Sequence, residues 1–350
     1  MATTPDRTRV RLSDISSRAY EHPADRGALV ALRSLKGFDE LFKRFTGVLS
    51  RRSLRLLHLA SAVRASERQF PELHDYVRDA AYVLDMKDVP ELYVRMDPRP
   101  NAMAIGMDKP FIVVTTGLFD LLDPEEQRFV IGHEVGHILS GHAVYRTMLI
   151  FLINLAARVA WVPFGYIGLR AIILALEEWF RKSELSCDRA GVLAGQDPEA
   201  GKRALMKIAG GSRLAEMNSD AMLEQAREYD SSGDALDSVL KLLNMSGHTH
   251  PFAVIRLAEL DRWLKDGSYQ RILDGEYPRR DSDRDASIGE EAREAANSYK
   301  ESWERSSDPL AGTVRDFFGS AANAGGKLFD TVADRWKNAG RRDSDGTPSS

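Results

Sequence analysis

The stretch QRFVIGHEVGHILSGH, residues 127–142, sets His133 and His137 four positions apart, with Glu134 beside the first. On an α-helix, side chains at i and i+4 leave one face about 40° apart, so both imidazoles can reach a single cation. Glu134 is turned about 100° from His133, which aims its carboxylate at a water on that cation rather than at the cation itself. This HExxH spacing suits metal-assisted hydrolysis: two imidazole nitrogens hold Zn2+ at about 2.0–2.1 Å, and the glutamate acts as general base. The competing reading is an accidental pattern with both histidines packed in a core.

A catalytic zinc ion needs a third protein ligand and a fourth position left for water. The continuation HExxHxxGxxH fails here. Ser140 stands where the glycine would be and Ala143 where the third histidine would be; Gly141 and His142 each miss by one. In a continued helix His142 lies about 140° from His137, off the metal-facing side, and so reads as a helix-end group or one supporting a ligand from behind. The other source is a carboxylate on a later helix. RKSELSCDRAG, residues 181–191, offers Glu184 and Asp188 four apart on one face. Glu184 suits ligation, and Asp188 suits accepting the outer ring N–H of a liganding histidine. Alone, the pair reads more readily as a solvated helix face; set beside HExxH, the site becomes the better reading.

The elements that must carry these groups have their own signals. Asp123, Pro124 and Glu126 form an N-cap, first-turn proline and third-position glutamate, which starts the histidine helix sharply. Before it, ELYVRM (91–96), NAMAIG (101–106) and FIVVTT (111–116) read as three short strands separated by DPRP and MDKP. From Ala28 to Leu84 apolar residues recur at helical spacing, as in Leu35, Phe38, Leu41, Phe42, Phe45 and again Leu56, Leu59, Val63. Its basic section, 43–68, reads as solvated arginines beside a core stripe, with a membrane-surface helix as the alternative. Further helical patterns cover 180–195, 199–209, 219–245 and 251–264. Residues 1–25 are polar and read as loose. Beyond Tyr277 the chain turns charged and linker-like, apart from a tail face of Val314, Phe318, Ala321, Leu328, Val332 and Trp336.

These readings give a mostly helical α+β chain: a zincin-type domain with a small sheet and an active-site helix. The expected division is an N-terminal helical region (1–84), a metallopeptidase domain (85–276) with an apolar hairpin insertion at 147–176, and a charged linker with amphipathic tail (277–350).

HEVGH followed by ELSCD, preceded by NAMA and IVVTTGLF and followed by HPFAVIR, resembles the zinc metallopeptidases that include the heat-shock membrane protease HtpX and the CAAX prenyl protease. The resemblance spans roughly residues 85–262, with four motifs in order. It implies His133, His137 and Glu184 as zinc ligands and Glu134 as general base. It also implies a substrate-binding strand at Asn101, Ala102, Met103 and Ala104, and an HP…R element, His250, Pro251 and Arg256, beside the scissile bond. His250 would help a developing oxyanion, or else be a turn residue ahead of a helix with Pro251 at its first position. Arg256, six residues along, can instead pair with a carboxylate such as Asp188. One departure is Cys187, where the family usually has alanine; it reads as a small packed residue. Backbone pairing along an exposed NAMAIG edge is blind to side chains, so the implied substrates are extended or flexible polypeptide segments, cut internally.

Composition narrows the partners. A net charge of −4 over 350 residues gives no electrostatic footprint for nucleic acid. A single cysteine excludes disulfide frameworks and multi-cysteine metal sites, and fits a reducing compartment. The N-terminus shows no apolar signal segment, so the expected location is cytoplasmic, at the inner face of the cell membrane. The run 147–176 supplies the membrane contact in that reading. One crossing would part His133 and His137 from Glu184, and two need about 40 residues plus a turn, so the run is expected not to span but to form a hairpin broken at VPFG, dipping into one leaflet or buried in protein. The rivals are a catalytically silent pseudo-protease and a membrane-associated scaffold, although neither Glu134 nor a ligand is missing.

Overall fold

The β-branched runs form a four-stranded mixed sheet. The computed structural model describes residues 8–26, 51–159, 163–231 and 252–281, together with Leu29 and Phe42. His250, Pro251, the tail face at 314–336 and most of 28–50 lie outside these residues. The strands are β1 (Val63–Arg64), β2 (Leu92–Arg95), β3 (Ala102–Ile105) and β4 (Phe111–Thr115), in the order β1-β2-β4-β3. β2 and β4 run parallel, while β1 and β3 pair antiparallel to their neighbours. FIVVT does not alternate because β4 is buried on both faces. Ile112 and Val114 enter the main core, whereas Phe111 and Val113 join Tyr93 and Ile105 on the opposite face. Val63 belongs to β1 and not to the preceding helix, α1 (Arg51–Ser61), which ends two residues earlier. Its apolar spacing is shared by helix and strand, and pairing with Val94 decides the outcome.

The helices that matter are α2 (Pro71–Val83), α3 (Thr116–Leu121), α4 (Pro124–Leu139), α5 (His142–Val159), α6 (Pro163–Gly195), α7 (Pro198–Gly210), α8 (Ser219–Ser231) and α9 (Ala253–Lys265). α4 begins as its cap foretells: the Asp123 side chain accepts from the Glu125 and Glu126 N–H groups at 3.0 Å, and Glu126 Oε2 accepts from the Asp123 N–H at 2.8 Å. Glu126 is fully buried and held by Lys207 of α7 at 2.7 Å. Packed on its sides by α2, α6 and α7, α4 is the central helix. Gly132 and Gly136 face Ala194 and Ala190 of α6; a Cβ at Gly136 would sit 2.6 Å from the Ala190 Cβ. Small residues on both helices therefore bring the two backbones close.

Residues 8–26 are not loose. Leu12, Ile15 and Tyr20 are buried in the main core, and the segment straps across the end of α4 and along α6. Arg9 donates to the Gly195 carbonyl, Tyr20 meets Ser140 at 3.2 Å, and the His22 N–H donates to Ser186 at 2.9 Å. Its apolar residues are few and widely spaced, so local composition conceals the long-range contacts that hold it to α4 and α6.

The apolar run 147–176 falls on α5 and α6. Tyr145, Met148, Leu149 and Leu152 pack against Ile173, Leu176, Trp179 and Phe180 in a second core. α5 keeps Ile150 and Asn154 exposed. Among the described residues no single helix is long and apolar enough to cross a membrane; α4 and the first part of α5 have the combined length, but they meet at 89°.

Candidate metal centre

His133 and His137 leave the buried face of α4 toward α6, where Glu184 meets them. The His137 Nε2 atom lies 3.1 Å from both His133 Nε2 and Glu184 Oε1, and His133 Nε2 lies 3.5 Å from Glu184 Oε2. All three residues are at least 96% buried, with relative exposures of 4%, 0% and 1%. Ligands about 2.1 Å from a tetrahedral ion sit about 3.4 Å apart, so these spacings fit one zinc-sized cation.

The proton inventory points the same way. His133 Nδ1 lies 3.0 Å from Asp188 Oδ1, an ionised acceptor, so one ring proton belongs on Nδ1 and Nε2 is the atom turned toward the cation position. Asp188 is itself gripped by Arg256, whose Nη2 donates to Oδ1 at 2.6 Å and Nε to Oδ2 at 2.8 Å. A third nitrogen, Nη1, lies 3.1 Å from Glu184 Oε2. Burial works against the charged form of Asp188, yet Arg256 holds its pKa below the usual carboxylate range. Burial also disfavours charge on His133, but Glu184 and Asp188 outweigh it and push the ring up to about 9, so without a cation Nε2 carries a second proton, which a bound metal ion would displace. His137 goes the other way, held well below its ordinary value by burial. Two imidazoles and a carboxylate aiming donor atoms at one point, with a single arginine opposite two carboxylates, is a donor set that a divalent cation completes.

Glu134 is buried on the same helix, and its Oε2 has no hydrogen-bond donor among the described residues. Its nearest cation is Arg146 Nη1 of α5, 3.8 Å away. Arg146 escaped the sequence reading. It lies over the Phe180 ring, 4.6 Å from its centre, and reaches the Ala102 carbonyl at 3.4 Å. An arginine inside an otherwise apolar helix was the available signal, since such a group is seldom buried without a carboxylate partner.

β3, which follows directly on Asn101 and carries Ala102 to Ala104, is an edge strand, with β4 as its single neighbour among the described residues. The Asn101 N–H and carbonyl both face Thr115, so by alternation the Ala102 and Ala104 peptide groups point away from the sheet. That edge is not exposed, contrary to expectation: Ala102 and Ala104 are buried, and α5 lies alongside, with Arg146 on Ala102 and Thr147 accepting from Gly106 N–H at 2.8 Å. Met103 is partly exposed. Arg256 stands behind His133 and Glu184, while His250 falls outside the described residues. Cys187 is fully buried, 3.5 Å from His142 Nδ1, and burial pushes its thiol pKa well up, in keeping with a packed, protonated side chain.

A small mixed sheet, a buried HExxH helix and a glutamate from a later helix together define a zincin-like peptidase domain of the α+β class. A family model described as Peptidase family M48 matches residues 67–264, and the chain belongs to that family, a family of metallopeptidases. Plastoglobule-localized metallopeptidase 48, chloroplastic, from Arabidopsis thaliana is 37% identical over 266 residues, covering 74% of this chain and 76% of the relative. A protease HtpX homolog from Moorella thermoacetica is 28% identical over 232 residues, covering 57% and 75%. Another from Streptococcus gordonii is 36% identical over 115 residues, covering 30% and 38%. No solved structure matches the chain.

Proposed function

We propose that the chain is a zinc-dependent endopeptidase whose ligands are His133, His137 and Glu184 and whose general base is Glu134. The observation that carries this is the convergence of three buried side chains, with their nitrogen and oxygen atoms 3.1–3.5 Å apart, on one helix pair. Bound there, Zn2+ would lower the pKa of its water toward about 7 and polarise a scissile carbonyl. Glu134 takes the proton of the attacking water and delivers it to the leaving nitrogen, completing hydrolysis of the amide. Arg256 and Asp188 hold the His133 ring with its lone pair inward, and Arg146 steadies the Glu134 carboxylate. Polypeptide substrate lies in extended form along Asn101 to Ala104, entering beside the partly exposed Met103, with His250 near the reacting carbonyl. Displacing the cover of that edge is part of substrate entry in this reading.

The enzyme works at the inner face of a membrane, in protein quality control. Support comes from the exposed Ile150 of α5 and from Phe151, Ile153 and Leu155, which are only partly covered where they pack on the second core. Release into the soluble fraction without detergent would remove the membrane part alone. For the chemistry, the test is metal analysis of the purified protein alongside casein cleavage, with and without chelator, for wild type and Glu134→Gln. Wild type should carry one zinc and cleave; Glu134→Gln should keep zinc and lose about 10²–10⁴-fold in rate. A wild type without zinc, or a variant that cleaves normally, refutes the proposal.

A further inference from the structure

His137 has a supporting chain of its own, built from the strap at residues 8–26. His137 Nδ1 lies 3.2 Å from His142 Nδ1, His142 Nε2 lies 3.4 Å from Asp25 Oδ2, and Asp25 Oδ2 accepts from Ser186 Oγ at 2.6 Å. Ser186 Oγ in turn accepts the His22 N–H, and the Asp25 N–H donates back to the His22 carbonyl at 3.0 Å. His142, Asp25 and Ser186 are all buried, with exposures of 3%, 2% and 0%. Trp179 stands edge-on to the His142 ring at 5.3 Å and closes its outer side.

One proton arrangement satisfies the whole chain. If His137 turns its Nε2 lone pair toward His133 and Glu184, its proton must sit on Nδ1, where it can go only to His142 Nδ1 as acceptor. His142 is then protonated on Nε2, facing the Asp25 carboxylate. His142 Nδ1 is then the acceptor, nearer to His137 Nδ1 at 3.2 Å than to the Cys187 thiol at 3.5 Å, and the carboxylate at the end fixes every tautomer before it. His133 receives the same service from Asp188 directly; His137 receives it through an intervening imidazole. We infer that Asp25 and His142 are positioning residues for the His137 ligand, so that the N-terminal strap is part of the metal centre. The inference rests on His137 being a ligand, as proposed above.

Outer groups of this kind usually contribute about 10–100-fold to metal affinity. The experiment is zinc affinity of the full chain by competition with a chromophoric chelator, for wild type, Asp25→Leu, His142→Leu and the double variant. Urea unfolding of the metal-free proteins monitors folding. Each single change should weaken zinc by about 10–100-fold. Because the two act in series, the double variant should be no weaker than the worse single. Independent structural damage would instead add. If the leucine variants do not fold, His142→Asn and His142→Gln decide: asparagine places an acceptor near the Nδ1 position and glutamine near Nε2, so asparagine should bind zinc more tightly. Unchanged affinities, additive losses, or equal binding by the asparagine and glutamine variants overturn the inference. So does a wild type holding two zinc ions of which His142→Leu loses one, which would make His137, His142 and Cys187 a second metal site. A wild type that binds no zinc refutes the ligand assignment itself, a distinguishable result.

Discussion

Gly136→Ala tests whether the close approach of α4 and α6 sets the geometry of the centre. The added Cβ would fall 2.6 Å from the Ala190 Cβ, about 1 Å inside ordinary contact, and its neighbour is a short, rigid side chain that cannot swing aside. The helices must part by most of that distance. Overpacking of this size costs about 1–3 kcal/mol, while replacing glycine in a helix interior returns about 1 kcal/mol, so net destabilisation should be only about 0–2 kcal/mol. Function should suffer more. His137 is one residue from the contact and Glu184 lies less than two turns from Ala190, so the 3.1 Å spacing between them widens toward 4 Å, beyond the roughly 3.4 Å one tetrahedral ion spans. A 1 Å misplacement can lower a rate about 10²-fold. The assays are kcat/KM on an unstructured polypeptide and zinc affinity, with the thermal midpoint alongside. Gly136→Ala/Ala190→Gly moves the methyl across the interface: it removes the clash, its two propensity changes nearly cancel, and it should recover most activity. Wild-type activity in the single variant, or no recovery in the double, would refute the account.

Other outcomes follow from the charges. Arg256→Met leaves Glu184 and Asp188 buried without their cation and should destabilise the metal-free protein by about 3–5 kcal/mol. Zinc should restore part of this, and an unchanged urea midpoint in chelator would count against the role given to Arg256. Just ahead of β2, Glu91 takes bidentate donation from Arg55 at 2.6 and 2.7 Å and is lowered to about 2, chiefly by that contact. A depressed carboxylate contributes stability that is present above its unfolded value of 4.5 and lost as pH falls toward 2. With 35% of the side chain exposed, screening reduces the contribution to about 1 kcal/mol. Glu91→Gln should therefore flatten part of the acid limb of a urea-midpoint-versus-pH curve, and added salt should mimic it.

The legible parts of the molecule were those written in local pattern. The capping box at Asp123 and Glu126, the i,i+4 spacing of His133 and His137, and the short β-branched runs each constrain only a few neighbouring residues. Pairing Glu184 with the histidines required a motif across about 50 residues, which the family resemblance supplied. What stayed hidden depends on contacts with no local trace. Leu12, Ile15 and Tyr20 are isolated among polar residues, yet each is buried, and Asp25 looked like any surface carboxylate. Arg146 sits in apolar helical context, where periodicity says that a side chain points inward but not what it will meet. The buried edge of β3 was misread for a related reason: strand order follows from pairing, whereas its cover comes from α5, a helix assigned to a separate apolar insertion.

The centre gathers side chains that are far apart in the polypeptide: Ser186 meets Asp25 across 161 residues, and Arg256 meets Asp188 across 68. Contacts of such range form late in folding. A nascent chain leaving the ribosome thus displays HEVGH long before it owns a neutralised pair of carboxylates to set against it. On the function proposed above, competence to cut is delayed until most of the domain has been made, which protects an unfinished polypeptide from its own chemistry.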